Sequence, residues 1–139
     1  MLTPGCPLAF VHAEKALIKG DPGPRLAMWS TQDPVTVFGA EKSVIGAEEA
    51  RQTFRWLATR FSSCTDYRCE LVATGCQRGP GLHPWLRTLL VSMDGGPVEP
   101  ITLRVTHVCR REDGEWKIVH RHADVPPTGQ ALRADASTE

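Results

Sequence analysis

The sequence has no excess of either charge and no long apolar run. Its 139 residues include sixteen basic and sixteen acidic side chains, and no run of one sign is longer than two residues. Neither a nucleic acid nor an anionic membrane surface is expected as the main partner, because both attract basic patches. No apolar stretch approaches the roughly 18 residues of a membrane-spanning helix. The N-terminus, MLTPGCPLAF, lacks the basic start and long apolar stretch of a signal peptide. These absences predict a cytoplasmic protein.

The cysteines are odd in number and irregularly spaced. The five cysteines are Cys6, Cys64, Cys69, Cys76 and Cys109. No two of them have the CxxC spacing that zinc clusters and redox sites use, and a disulfide framework would favour an even number. The pattern therefore predicts reduced thiols.

The chain carries mostly helical patterns first and strand patterns later. Helices are predicted at Pro7 to Lys19, Asp21 to Ser30 and Ala47 to Phe61. Strands are predicted at Val35 to Phe38, Tyr67 to Thr74, Thr88 to Met93 and in a final pair from Leu103 to Asp124. Helices followed by an antiparallel sheet predict an α+β fold. One domain is expected over residues 1–126, with a flexible polar tail over 127–139.

The final pair, LRVTHVCRREDGEWKIVHRHAD, predicts one long β-hairpin. Asp113-Gly114 is the expected tight turn, because both loop positions of the favoured turn need a positive φ angle. With this two-residue loop, His107 faces His120 across the two strands, and alternation sorts the side chains between two faces. One face then carries Leu103, Val105, His107, Cys109, Trp116, Ile118, His120, His122 and Asp124. This face is apolar near the turn and polar away from it, which is what a buried pocket with a few convergent polar groups requires.

Two segments resemble a known family. They are WS..DPVTVFGA at Trp29 to Ala40 and, above all, THVCRREDGEWKIVHRHAD at Thr106 to Asp124. They are similar to the SnoaL-like, ketosteroid-isomerase-like proteins of the NTF2-like superfamily, and the resemblance covers roughly residues 7 to 126. It implies a cone-shaped α+β barrel in which a curved antiparallel sheet and three helices enclose one apolar pocket, in a homodimer packed through the sheet. Members include isomerases, polyketide cyclases, dehydratases, epoxide hydrolases and a kinase association domain, so the fold implies a pocket more than a reaction.

Two departures from the family pattern are evident. Ketosteroid isomerases carry a catalytic carboxylate after the first strand, where this sequence has Phe38-Gly39, so steroid isomerisation by that mechanism is not expected. The segment Gln77 to Arg87, QRGPGLHPWLR, has two prolines and two glycines where a central strand belongs. One codon choice for it, read one base later, encodes Ser-Gly-Asp-Leu-Ala-Tyr-Thr-Leu-Gly-Tyr-Glu, which resembles the family's strand. A compensated frameshift and a genuine loop are the two interpretations, and the nucleotide sequence decides between them.

The hairpin face supplies the candidate catalytic residues. His107 and His120 are candidates for general acid and base, since histidine titrates near neutral pH, or for a structural polar pair. His122 and Asp124 are predicted to orient that pair or to lie at the rim beside solvent. A zinc site built from the three histidines is a weaker alternative, because the resemblance implies no metal and supporting partners are not evident. We expect neither a metal nor a cofactor.

The ligand-binding candidates are apolar residues of the hairpin face and aromatic residues of the first half. They are Trp29, Phe38, Phe54, Val105, Cys109, Trp116 and Ile118. Large aromatic residues at periodic positions also fit plain core packing. Cys109 fits a small apolar filler better than a nucleophile.

These features predict a protein that encloses a small apolar or amphipathic molecule. The leading hypothesis is a cofactor-independent enzyme of the isomerase, cyclase or dehydratase kind that uses pocket histidines for proton transfer. The alternative is a non-catalytic ligand-binding or oligomerisation module. A floor group with a strongly shifted pKa favours the enzyme, and a floor whose polar groups are all paired favours the module. The other hairpin face, with Val108 and Val119 among threonines and arginines, is expected to form a homodimer contact.

Overall fold

The computed structural model of the protein describes residues 7–71 and 82–127. Within these ranges the helices are α1 (Pro7–Ile18), α2 (Gly23–Met28) and α3 (Ala47–Ala58). The strands are β1 (Thr36–Phe38), β2 (Ser43–Ile45), β3 (Phe61–Leu71), β4 (Leu82–Met93), β5 (Val98–Glu112) and β6 (Glu115–Asp124). None of the helices in the described part of the chain is long and apolar enough to cross a membrane.

The six strands form one curled sheet in the order β2-β1-β6-β5-β4-β3. Neighbouring strands are antiparallel, except that β1 runs parallel to β6. The helices pack against one side of this sheet, where Trp29 and Phe54 join Ile118 in the largest buried apolar cluster. The chain therefore has the α+β, cone-shaped fold that the sequence predicts.

The helices bury the faces that their periodicity indicates. In α1, Phe10, Ala13 and Leu17 are buried, and in α3 the buried residues include Phe54. The predicted extension of α3 to Phe61 is wrong, because the helix ends at Ala58 and Phe61 begins β3.

Four strands differ from the prediction. The strand β3 begins at Phe61 rather than Tyr67, and β5 begins at Val98 rather than Leu103. The short strand β2 was not indicated by the sequence, because three partly or fully exposed residues carry no alternation signal. The strand β4 begins at Leu82 and pairs with β5 through Pro84, which lies opposite Thr106. The loop interpretation is therefore wrong for residues 82–87. Residues 72–81, which include the rest of that segment and the end of the predicted strand before it, lie outside the described residues, as does the tail from residue 128.

The turn of the final hairpin is the predicted one. Asp113 and Gly114 have φ angles of 50° and 82°, as the tight turn requires. The ladder also follows the predicted register from Glu112 opposite Glu115 to Cys109 opposite Ile118. The face predicted for β5 is correct over its inner half, because Leu103, Val105, His107 and Cys109 are all buried.

Beyond Ile118 the register changes by one residue. The next pair is Val108 with His120, so Val119 is an extra residue that forms a β-bulge. A slip of one residue moves every following side chain to the other face of a sheet. Arg121 is consequently buried opposite His107, and the predicted pairing of His107 with His120 is wrong.

Candidate ligand-binding site

A cavity of about 310 Å³ lies between the helices and the sheet. Its wall is mostly apolar and includes Leu17, Val37, Phe54, Leu57, Ile101 and Leu103. The volume is near the lower end of the roughly 300–1,000 Å³ range of small-molecule pockets. It corresponds to about ten water-sized units at about 30 Å³ each, so the cavity suits a small molecule.

Two arginines close the inner end of this cavity. Arg25 comes from α2 and Arg121 from β6, and both line the cavity although they are only 4% and 5% exposed. The guanidinium of Arg25 lies 5.0 Å from the centre of the Phe54 ring. Arg121 points inward only because the bulge at Val119 has exchanged the faces of β6. The closed end of an apolar cavity therefore carries two groups that keep their charge at any physiological pH.

One carboxylate serves both arginines. Glu14 lies on α1, is 1% exposed and forms an ion pair with Arg25. The same oxygen, Glu14 Oε2, lies 3.6 Å from Arg121 Nη1. Burying a charge is very unfavourable unless it is paired and hydrogen-bonded, so α1, α2 and β6 are joined by a buried ionic cluster.

His107 forms a hydrogen bond with Arg121. Its Nε2 atom lies 3.1 Å from Arg121 Nη1. An arginine can only donate, so Nε2 accepts this hydrogen bond. The imidazole packs between Phe10, at 4.9 Å between ring centres, and Trp29, at 6.4 Å. His107 is 1% exposed and does not belong to the cavity wall, so it positions Arg121.

The open end of the cavity carries charged side chains that contact one another. Glu41, Lys42 and Trp56 lie on the wall there. Arg60 pairs with Glu41 and binds Asp94 with a nitrogen–oxygen distance of 2.7 Å, and these hydrogen bonds raise the pKa of Arg60. Both Arg60 and Lys42 lie over the ring of Trp56, at 4.7 and 5.1 Å from its centre. The rim is thus held by contacts among its own side chains.

The other predicted catalytic residues lie on the opposite face of the sheet. His120 Nδ1 is 2.7 Å from Thr36 Oγ1, and His122 is exposed. Phe38, predicted to bind ligand, is 44% exposed, and its ring centre lies 5.1 Å from that of His120 and 6.1 Å from that of His122. The placement of Phe38, His120 and His122 in the pocket is therefore wrong. The three histidines also cannot converge on one metal ion, since His107 faces the other side.

Asp124 does not orient a histidine in the pocket. It binds Arg104 through two hydrogen bonds of 2.7 and 2.8 Å, and both side chains are about 40% exposed. These hydrogen bonds from Arg104 lower the pKa of Asp124. Burial lowers the pKa of His120, and the neighbouring His122 lowers it further.

Comparison with known proteins identifies the family. A family model described as a SnoaL-like domain matches residues 12–127. The chain belongs to the SnoaL-like family. Among the curated proteins, none matches this SnoaL-like chain.

Solved structures with the same fold share little sequence with this SnoaL-like chain. A putative dehydratase of the NTF2-like family from Streptomyces avermitilis superimposes with a TM-score of 0.71 at 17% identity, over 87% of this chain and 94% of that one. A ketosteroid isomerase-like protein from Erwinia carotovora atroseptica has a TM-score of 0.71 at 12% identity, over 86% and 92% of the two chains. A putative calcium/calmodulin-dependent protein kinase type II association domain from Thiobacillus denitrificans has a TM-score of 0.70 at 19% identity, over 91% and 99%. These likenesses establish the fold.

The predicted ligand-binding residues divide between wall and core of this SnoaL-like domain. Phe54 lines the cavity. Trp29, Cys109 and Ile118 are buried in the same cluster as Phe54, with Trp116 packed against it, and Val105 belongs to a second buried cluster. Burial raises the pKa of the Cys109 thiol to about 12, which fits the apolar-filler interpretation.

Three residues at the closed end of the cavity were missed by sequence reasoning. A signal existed for Glu14, because it shares the helical stripe of Phe10, Ala13 and Leu17, where a charged residue is unusual. Arg25 sits in a six-residue helix without a periodic pattern. Regular alternation along β6 would place Arg121 on the outer face with the other arginines of the hairpin, but the bulge at Val119 interrupts that alternation.

Replacing His122 with Asn should raise the pKa of His120, because a neighbouring charge that opposes the imidazolium is removed. An NMR titration of the histidine side chains measures this shift. His12→Asn, an exposed change on α1, serves as the control and should leave the pKa of His120 unchanged. An unaltered His120 titration in His122→Asn would contradict the proximity of the two imidazoles.

Proposed function

We propose that this SnoaL-like domain binds a small amphipathic molecule in its cone cavity. The observation that carries the proposal is an apolar cavity of about 310 Å³ closed by two buried arginines. Pockets of this kind hold ligands through an apolar wall, while a few polar groups fix the orientation. The proposed ligand is therefore the small apolar or amphipathic molecule that the sequence also predicts.

The arrangement of side chains favours ligand binding over a proton transfer that a histidine would carry out. The three hairpin histidines do not belong to the described cavity wall. Its ionisable groups, among the side chains that are described, are Arg25, Arg121, Glu41 and Lys42. The arginines do not release protons, and Glu41 and Lys42 stand at the rim. At the closed end, Glu14, Arg25, Arg121 and His107 contact one another, and paired floor groups are the arrangement expected of a binding module.

A cofactor-independent isomerase, cyclase or dehydratase is the second candidate. One structural neighbour is named a putative dehydratase. In this candidate the acid–base role predicted for His107 and His120 is replaced by an electrostatic one. Arg121, held by His107, would stabilise negative charge that develops on the substrate, as positioned donors do at an oxyanion.

A homodimer through the outer face of the sheet is also part of the proposal. Phe38 is 44% exposed on this face beside His120 and His122. Val108 and Val119 add half-buried apolar area on the same hairpin. Exposed aromatic residues with apolar neighbours are enriched at protein interfaces, and a two-fold contact would cover this patch with its own copy.

Ile101→Trp should abolish binding of small aromatic probes, because Ile101 lines the cavity and the larger side chain fills it. Indole, a neutral probe, is titrated into the protein and followed by saturation-transfer NMR. Val98→Trp is the matched control, since Val98 lies on the same strand but is 51% exposed and away from the cavity. If indole does not bind the parent protein, or binds both variants alike, the cavity is not a binding site.

If a substrate that is turned over is found, Arg121→Gln should lower kcat by about 10²-fold, the usual effect of removing one oxyanion donor. His120→Ala and His122→Ala should leave kcat within about threefold, because their side chains lie on the other face. Steady-state kinetics of the three variants tests this. A large loss in either outer-face histidine variant, with Arg121→Gln unaffected, would refute the electrostatic candidate.

Phe38→Glu should convert the proposed dimer into a monomer, because a charge would be placed at the centre of the contact. Sedimentation velocity at micromolar concentration gives the mass. Trp56→Glu is the matched control, since Trp56 is an aromatic of similar exposure, 40%, at the cavity mouth. A parent protein that sediments as a monomer rejects the dimer.

A further inference from the structure

We propose that the turn between β1 and β2 is a gate at the open end of the cavity, and that Arg60 latches this gate through Glu41. Residues 39–42 form this rim turn. The inference rests on the proposed function, because it specifies how a ligand reaches the cavity. Three observations carry it: the place of the rim turn on the wall, the joint that Arg60 makes, and the short strands that carry the turn.

The rim turn is part of the cavity wall. All four of its residues line the cavity, as do Trp56 of α3 and Phe61 at the start of β3. The turn belongs to one edge of the curled sheet, where β2 lies, and β3 lies at the other edge. Chain segments from both edges therefore bound the open end. A movement of the turn changes the width of that opening.

Arg60 joins the two edges across the opening. It directly precedes β3, and its carbonyl oxygen accepts a hydrogen bond of 2.9 Å from the backbone N–H of Asp94, in the turn after β4. Its guanidinium binds the Asp94 carboxylate through nitrogen–oxygen contacts of 2.7 to 3.1 Å. The same guanidinium pairs with Glu41 in the rim turn. Arg60 is thus fixed to the β3 edge and reaches over to the turn.

The two halves of this joint differ in how easily they open. The Arg60 side chain is 13% exposed and is bound to Asp94 through both backbone and side chain, whereas Glu41 is 53% exposed. Ion pairs open to water contribute little, because solvent screens them. Lys42 adds a second contact of this kind, since its Nζ lies 5.1 Å from the centre of the Trp56 ring. The contacts of Glu41 and Lys42 are therefore the ones that part when the turn moves.

The strands that carry the rim turn are short. β1 and β2 have three residues each, and Ile45 at the end of β2 is exposed. Within the turn, the N–H of Gly39 donates to the carbonyl oxygen of Lys42 at 3.0 Å, and a Cβ atom at Gly39 would lie 2.7 Å from that oxygen. Segments with few buried apolar contacts open at a low free-energy cost. The turn can thus move as a unit while the helices and long strands keep their places.

The other end of the cavity does not offer a comparable route. Arg25 and Arg121 line it there, and both are buried. Among the described residues, the rim turn is the part of the wall that combines exposed side chains with short supporting strands. Ligand exchange through the open end then requires the contact between Arg60 and Glu41 to break.

The test measures the exchange of 5-fluoroindole, a neutral probe, by fluorine NMR in the parent protein and in Glu41→Gln. Both the association and the dissociation rate should rise about two- to fivefold, the range that an exposed ion pair provides. The Kd should change less than about twofold, because the latch forms in the free and the bound protein alike. Glu115→Gln is the matched control, since it removes an exposed carboxylate that pairs with Lys117 at 3.6 Å in the other hairpin.

Two comparisons isolate the pair itself. Arg60→Gln should also speed exchange, and adding Glu41→Gln to it should bring no further change, because the partner is already absent. Raising the salt concentration from about 0.05 to 0.5 M should speed exchange in the parent protein but not in Glu41→Gln, because salt screens the ion pair. Circular dichroism checks that each variant is folded. If Arg60→Gln does not fold, the salt comparison decides the role of the pair.

A measurement without ligand follows the gate directly. A soluble paramagnetic agent broadens the indole N–H signal of Trp56 according to its exposure, and Trp56→Phe assigns that signal. Glu41→Gln should increase the broadening, because Lys42 and the turn then leave the ring more often. Glu115→Gln should leave it unchanged.

The outcomes separate this inference from the proposed function. If 5-fluoroindole binds but exchanges at the same rates in Glu41→Gln and the parent protein, only the gate fails. A faster dissociation with an unchanged association rate would make Glu41 a ligand contact and overturn the gate as well. If 5-fluoroindole does not bind, the proposed function fails. The Trp56 signal then decides on the gate, and an unaltered exposure in Glu41→Gln rejects it.

Discussion

The extra residue Val119 determines what the sheet presents to the cavity. Opposite the step from Val108 to Cys109, β6 contains one residue more than the ladder needs, and every side chain beyond it changes face. Arg121 and Ala123 thereby enter the space under the helices, and His120 and His122 leave it. The parallel pairing with β1 agrees with this arrangement, since inward-facing Val37 lies beside Arg121. The ionic cluster at the closed end depends on this single irregularity.

The cluster is difficult to explain by stability alone. Replacing a buried ion pair with well-packed apolar residues is often neutral or stabilising, whereas removing one partner costs about 3–5 kcal/mol. A chain under selection only to fold would do as well with apolar residues at Glu14, Arg25 and Arg121. Proteins break such local rules mainly at functional sites. The position of two of these charges on the wall of an apolar cavity fits that interpretation.

The sequence predicts features that depend on local chemistry. The tight turn at Asp113-Gly114 follows from its residue types, and the inner face of β5 follows from alternation. Regular alternation fails after Ile118, because the pairing partner rather than the residue type decides where a bulge occurs. For that reason the predicted pairing of His107 with His120 does not occur. The arginines were missed because a charged side chain carries no apolar periodicity, and only tertiary contacts bring Arg25 and Glu14 together.

The position at which ketosteroid isomerases are expected to carry a catalytic carboxylate bears on the choice between binding and proton removal. In this chain that position falls at Phe38-Gly39. Phe38 faces outward, and a Cβ atom at Gly39 would lie 2.7 Å from the carbonyl oxygen of Lys42, so a side chain there would require the turn to move. A base on the wall generates negative charge on a ligand by removing a proton, whereas fixed guanidiniums stabilise negative charge that is already present. The described wall has guanidiniums at its closed end, and the Phe38-Gly39 position has no carboxylate, so our proposal for this cavity is binding rather than proton removal.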